Sequence, residues 1–446
     1  MFFNVIYGIG LMLISPIVLY RAIRHGRYRE GISEKLFGLS KQRAEAIRGS
    51  ANQTVWLHAV SVGEAQLLPN LVRRLKQERP EAAIAISCST DTGIAVARHH
   101  FGEECVFFCP LDFTWAVRRT LRRLNCQTLI LVELELWPNW IRLAAEAGCR
   151  VAVVNGRLSQ RSAVNYCRFS KVLRPTFARL AAVGCQSEEI ARRFVACGVP
   201  AGRTWVTGSL KYDNAPRSRE TADVNSRVNW SGAEPWHRVW CFGSTQDGEE
   251  TIALEVYDRL TKTHPELRLI LVPRHAERFN RVAELICAAG YRLIRRSRRQ
   301  SDSQYRDVWE ADEVLLVDTI GELRAWWGVA SIATVGGSFG NRGGQNMLEP
   351  AGYGSAVSFG PNTDNFADIA GELVAHGGAV RVDGAATLED FVRRCLEDGP
   401  AADALGRAAQ RVVQAHRGAH DRTITMLRQL ETSADPGVST VPSRAA

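Results

Sequence analysis

Glu64 closes the segment Ser61-Val-Gly-Glu64, where an apolar run, residues 54–62, gives way to a helical pattern. A carboxylate walled by apolar neighbours has its pKa raised toward the range useful for a general base. The same position suits a first-turn Glu that complements a helix dipole, and the residues alone do not choose between these roles. Glu133 and Glu135 alternate in Glu133-Leu-Glu-Leu-Trp-Pro-Asn139. In an extended segment both point to one side, which suits a hydroxyl-rich or amino-bearing ligand; a solvated strand end is the competing account.

The second half carries a different chemistry. Gly336, Gly337, Gly340, Gly343 and Gly344 lie between a strand-like run, Ile332 to Val335, and a helical stretch expected over Gln345 to Gly352. Glycines allow positive φ and close backbone approach, and a helix start offers unpaired N–H groups, so the junction suits an anion. Asn346 and Glu349, three apart, share a helix face and suit sugar hydroxyls. Ser244, in Gly243-Ser-Thr245, offers its hydroxyl and amide to a phosphate, or simply caps a helix. Arg274 and His275 follow a strand, with Arg278 expected one turn on; guanidinium forks bind phosphate bidentately. Glu322 is placed to hold ribose hydroxyls or to cap its own helix.

No D-x-D and no carboxylate–His cluster stands at ligand spacing, so neither a metal nor another cofactor is expected. Phosphate charge would fall to arginines and helix ends. A P-loop lysine motif and a G-x-G-x-x-G after the first strand are both missing, which weakens ATPase and dehydrogenase readings.

These residues need elements to hold them. Short apolar runs alternate with helical patterns, which predicts an α/β fold of parallel sheets covered by helices on both faces. Ligands in such sheets sit beyond the carboxyl ends of strands, where most of these residues fall. The 446 residues suit two domains. The divisions expected are an apolar anchor over 1–20, a first Rossmann-like domain over 30–213, a polar linker over 214–235 and a second Rossmann-like domain over 236–402. Closing helices over 403–431 and a disordered tail over 432–446 complete the chain. The Arg-rich stretch from Arg292 to Arg306 reads as a solvated loop. Residues 1–20 carry no charge and are followed by Arg21, Arg24, Arg27 and Arg29. About twenty helical residues match a bilayer's hydrocarbon thickness, and the basic flank places the rest in the cytoplasm.

Net charge is +9 and 46% of residues are hydrophobic, which excludes wholesale disorder and favours anionic partners. Nucleic acid is not expected, because no basic-aromatic module is present. The eleven cysteines are scattered without a C-x-x-C pair and read as reduced thiols.

Taken together, the motifs resemble one family, the 3-deoxy-D-manno-octulosonic acid (Kdo) transferases of lipid A assembly. They are His58-Ala-Val-Ser-Val-Gly-Glu64, Ser89-Thr-Asp-Thr-Gly93, Glu133 to Asn139, Asn155-Gly-Arg157 and Gly208-Ser-Leu-Lys-Tyr-Asp213. In the second half they are Pro273 to Arg278, Asp318 to Leu323 and Gly336 to Pro350. The resemblance implies a GT-B glycosyltransferase, two Rossmann-like domains with a cleft between them, held at the cytoplasmic face of the inner membrane. It implies CMP-Kdo as donor, a lipid A precursor (lipid IVA) as acceptor, and contact with inner membrane lipids. Glu64 then corresponds to the catalytic base, and Arg274, Asn346 and Glu349 to the CMP-contacting residues, with Ser244 and Glu322 beside them. Glu133, Glu135 and Lys211 are assigned to the substrate. Two positions depart from the common pattern: Gln345 stands where the family often has His, and Leu134 where it often has Thr. The readings that compete are a GT-B enzyme acting on a UDP-sugar and a non-catalytic, membrane-docked polyanion binder.

Overall fold

A computed structural model describes residues 2–25, 30–298 and 308–432. The chain folds as two units: one comprises residues 1–213 and 418–446, the other residues 214–417.

The first unit is built on a seven-stranded sheet. Its strands are β1 (Thr54–Ala59), β2 (Ala83–Cys88), β3 (Val106–Phe108), β4 (Cys126–Val132), β5 (Arg150–Gly156), β6 (Ala182–Cys185) and β7 (Thr204–Val206). They lie in the order β3-β2-β1-β4-β5-β6-β7, and every neighbouring pair is parallel. Helices cover both faces, so the strands are mostly apolar without alternation, and all six residues of β1 are buried. Trp56, Phe107, Leu129 and Trp140 fill one side, and Leu57, Ile86, Ile130 and Val154 the other.

The second unit has another seven-stranded sheet. It comprises β8 (Arg238–Thr245), β9 (Leu267–Pro273), β10 (Arg292–Arg295), β11 (Glu313–Leu316), β12 (Ile332–Val335), β13 (Ala356–Phe359) and β14 (Ala379–Arg381). The order is β10-β11-β9-β8-β12-β13-β14, again parallel throughout. Sequence order reverses between β1 and β4 in one sheet and between β8 and β12 in the other. Crevices at such switch points are where α/β sheets bind ligands.

Several boundaries differ from the sequence expectation. The polar stretch 214–235 is not a bare linker: Ala222–Ser231 is a helix capped by Thr221, and Trp230 is buried edge-on against Trp326 at 5.8 Å. Its apolar residues are too few for a visible period, yet one tryptophan anchors it. The expected Arg-rich loop begins with β10, whose Arg292 pairs with Asp312; residues 299–307 lie outside those described. The closing helices part company. Gly399–Ala415 belongs to the second unit, while Ala419–Thr432 returns to the first and buries Met426 and Leu427 there. Asp213 fixes that return by accepting from the amides of Gly418 and His420, both at 2.7 Å. The tail expected over 432–446 lies, from 433 on, outside the described residues.

The N-terminal apolar segment is a 24-residue helix, α1 (Phe2–His25), with Pro16 inside it. Among the described residues no helix is long and apolar enough to cross a membrane. The first turn of α1 is tied to the first unit. Asn4 donates to the Thr114 hydroxyl (2.8 Å) and accepts from the amide of Thr114 and the side chain of Asn139 (both 3.2 Å).

Candidate active site

In the first unit the switch point gathers carboxylates. Beyond β1 the chain turns at Ser61, which caps the short helix Val62–Ala65. Glu64 braces this helix start: its carboxylate accepts from the Val60 amide at 2.8 Å and the Ser61 hydroxyl at 3.1 Å. These contacts are those of a residue that holds a helix start. Burial pushes its pKa up to about 7; the Val60 hydrogen bond opposes this, and the charges of Glu133 and Glu135 add to it. A capping carboxylate is thereby left poised to exchange a proton near neutrality.

Glu133 follows β4 at φ +61°, a strained conformation for a residue with a side chain. Sequence placed Glu133 and Glu135 on one face of a strand. In the structure β4 ends at Val132, and both residues lie on an irregular segment, so strand alternation does not govern them. Their convergence on Glu64 is electrostatic. Glu133 Oε1 lies 3.8 Å from Lys211 Nζ and 3.4 Å from the amide nitrogen of Asn155. Asn155, at φ +53°, also accepts from the Leu210 amide at 3.0 Å. The Asn155–Arg157 and Gly208–Asp213 motifs thus meet at Glu133. Glu135 accepts from Trp137 Nε1 at 2.8 Å, and burial raises its pKa. Leu134 packs against the core, which accounts for an apolar residue at that position.

The second unit's switch point is a glycine cradle with a carboxylate inside it. Glu249 is buried and accepts from the amides of Gln246, Gly337, Ser338 and Phe339 at 2.8–3.1 Å. This corrects the expectation that the leading amides of the glycine loop await a phosphate: three of them already hold a carboxylate. Gly336 is required for the close approach, since a Cβ there would lie 2.7 Å from both Glu249 Oε2 and the Ser244 carbonyl. Ser244 is buried near the end of β8 at φ +58°, a second strained position at a strand end.

The helix after the loop is shorter than the sequence suggested, Leu348–Gly352. Asn346 therefore does not share a helix face with Glu349. Its side chain accepts from the Leu348 amide at 3.1 Å and so fixes the start of the helix that carries Glu349. Burial raises the pKa of Glu349, while the nearby charges of Arg324 and Arg274 pull it down. Arg274 is exposed immediately after β9, with its amide held by the Thr245 carbonyl at 3.0 Å. Arg278, expected to join it, grips Glu250 bidentately at 2.7 and 2.8 Å and is a structural ion pair. Glu322 is also engaged, by Arg296 at 2.9 Å and Arg227 at 3.4 Å.

The structure thus brings Glu64, Glu133, Glu135 and Lys211 into one cluster. Arg274 and Glu349 meet in another, and Glu322 pairs elsewhere. Sequence reasoning named Asn155 only as part of a motif and missed Arg324 and Glu249; only the Gln246-to-Glu249 spacing, three residues as in a capping box, signalled the last. No group of His, Cys, Asp and Glu gathers at metal-binding distance among the described residues. A hollow of about 1050 Å³ opens at the amino-terminal ends of β1 and β2 and contains none of these side chains.

The family model described as 3-deoxy-D-manno-octulosonic-acid transferase (kdotransferase) matches residues 30–214. The chain is 31% identical over 429 residues to the 3-deoxy-D-manno-octulosonic acid transferase of Haemophilus influenzae, covering 94% of this chain and 96% of that protein. The chain belongs to this Kdo transferase family. The Kdo transferase of Bordetella pertussis is 32% identical over 437 residues, covering 95% of this chain and 98% of its own length. As a Kdo transferase the protein is an enzyme of lipopolysaccharide synthesis. The UDP-GlcNAc 2-epimerase of Neisseria meningitidis bound to UDP-GlcNAc aligns with a TM-score of 0.55 at 10% identity, covering 84% of this chain and all of that one. That likeness shows the fold: two parallel-sheet α/β domains resembling those of GT-B glycosyltransferases.

Proposed function

We propose that this Kdo transferase moves Kdo from CMP-Kdo to the lipid A precursor lipid IVA, with inversion and without a metal. The observation that carries the reading is Glu64, a buried capping carboxylate with its pKa near 7 beside Glu133 and Glu135. Glu64 takes the proton of an acceptor sugar hydroxyl, and that oxygen attacks the anomeric carbon of Kdo from the face opposite CMP. Glu133, held by Lys211 and Asn155, and Glu135, held by Trp137, keep Glu64 basic and bind the acceptor's polar groups. The phosphate charge that develops on CMP is met by Arg274 and the amides of the glycine loop that Glu249 leaves open. Glu349, Asn346 and Ser244 shape the nucleotide site, whereas Glu322 is taken up by Arg296 and Arg227.

The same reading places the enzyme on the cytoplasmic face of the inner membrane. The helix α1 exposes Val5, Ile9, Met12 and Leu13, with Met12 75% exposed, and the protein is rich in arginine. An apolar helix face beside a basic surface suits attachment in the lipid interface. Incubating the purified protein with CMP-Kdo and tetraacylated lipid A precursor tests the function: a product heavier by one or more Kdo residues in mass spectrometry is expected. An unchanged acceptor would reject the reading.

A further inference from the structure

Between α1 and the loop that follows β3 lies a slot of about 520 Å³, within the usual size range of small-molecule sites. Ile6, Gly10 and Leu11 of α1 form one wall, and Leu111, Phe113 and Trp137 the other. The polar groups at its edge have partners within the protein. Asp112 accepts from the amides of Asn139 (3.0 Å) and Trp140 (2.8 Å) and from the Tyr7 hydroxyl. Lys35 lies over the Phe108 ring at 4.3 Å and 3.8 Å from Asp91. What remains for a guest is hydrocarbon surface.

The slot is linked to the carboxylate cluster through Trp137. Trp137 presents its ring to the slot and donates its indole N–H to Glu135, whose charge acts on Glu64. Ser89, at the end of β2, borders it on the same side. At the other end the exposed apolar face of α1 leads from the slot to solvent. An apolar slot that is walled by an exposed apolar helix and shares Trp137 with the carboxylate cluster fits a guest with a hydrocarbon tail and a sugar head.

We propose that this slot binds one acyl chain of the acceptor and so sets the depth at which the acceptor's hydroxyl meets Glu64. The inference rests on the lipid-acceptor reading above and adds the site that recognises the lipid. Gly10 offers a clean test. A Cβ there meets nothing within 4 Å, so Gly10→Leu fills the slot without a backbone clash. Gly8 is equally open but lines a neighbouring hollow with Val5 and Phe37, so Gly8→Leu is the control for added apolar bulk on α1.

Steady-state transfer from CMP-Kdo is measured with tetraacylated precursor and with the same disaccharide after removal of its acyl chains. Each methylene displaced from an apolar site costs roughly fourfold in affinity. Gly10→Leu should therefore raise KM for the acylated acceptor at least tenfold. The kcat, the KM for CMP-Kdo and the kinetics with the de-acylated acceptor should stay as in the wild type, and Gly8→Leu should match the wild type. Unchanged KM in Gly10→Leu, an equal rise in both variants, or a change in oligomeric state by sedimentation that accounts for the rise would overturn the proposal. If the wild type transfers no Kdo, the functional reading fails and the slot is judged by binding of a fluorescent tetradecanoyl probe. Binding lost in Gly10→Leu and kept in Gly8→Leu supports the slot, and equal binding by all three proteins rejects it.

Discussion

The ionisation of Glu64 sets a pH profile that can be dissected. Its pKa rises from 4.5 to about 7, a cost on the ionised form on the order of 3 kcal/mol. The base works as the carboxylate, so kcat/KM should rise through an acid limb at about pH 7 and fall roughly tenfold per pH unit below it. Glu133 and Glu135 both raise this pKa, so Glu133→Gln and Glu135→Gln should each move the limb down. The Ser61 hydroxyl stabilises the carboxylate, so Ser61→Ala should move the limb up. Opposite signs from adjacent substitutions separate this account from general damage. Stability follows with a definite sign: the folded pKa exceeds the unfolded one, so the ionised group destabilises the fold progressively as pH rises from about 4.5 to about 7. Glu64→Gln should therefore raise Tm at pH 8 and leave it nearly unchanged at pH 4. An acid limb near 4.5, or a Glu133→Gln limb that moves upward, would refute the reasoning.

Other outcomes follow from the second unit and from α1. Glu249→Ala strips the acceptor from four amides; at about 1–3 kcal/mol for each group left buried, urea unfolding should register a loss of at least about 3 kcal/mol. CMP affinity, read by calorimetry, should fall with it. Gly336→Ala forces a Cβ to 2.7 Å from Glu249 and the Ser244 carbonyl, and should cost about 1–3 kcal/mol and weaken CMP binding. Deleting residues 1–20 should release the protein from vesicles containing anionic lipid; a truncated form that still pellets with them would place the attachment elsewhere.

The alternation of strands and helices was legible because parallel strands covered on both faces are buried and mostly apolar, as β1 and β4 are. Glu64 was legible as a strand-end carboxylate, whereas its hydrogen bonds to Val60 and Ser61 were visible only in the fold. The Glu133–Lys211–Asn155 cluster joins three segments far apart in sequence, and no local pattern encodes such a meeting. Glu249 stayed hidden for a related reason: a carboxylate that satisfies backbone amides nearly ninety residues away looks, in sequence, like a first-turn helix residue. The helix at Ala222–Ser231 was missed because its burial rests on Trp230 and Val224 in a segment that is otherwise polar.

The central claim is that Glu64 is the base for transfer, and one substitution tests it. Glu64→Gln keeps a hydrogen-bond acceptor for the Val60 amide but cannot take a proton. With CMP-Kdo and tetraacylated precursor it should yield no heavier product by mass spectrometry, while CMP binding by calorimetry stays at the wild-type level. Product formation at the wild-type rate would contradict the account.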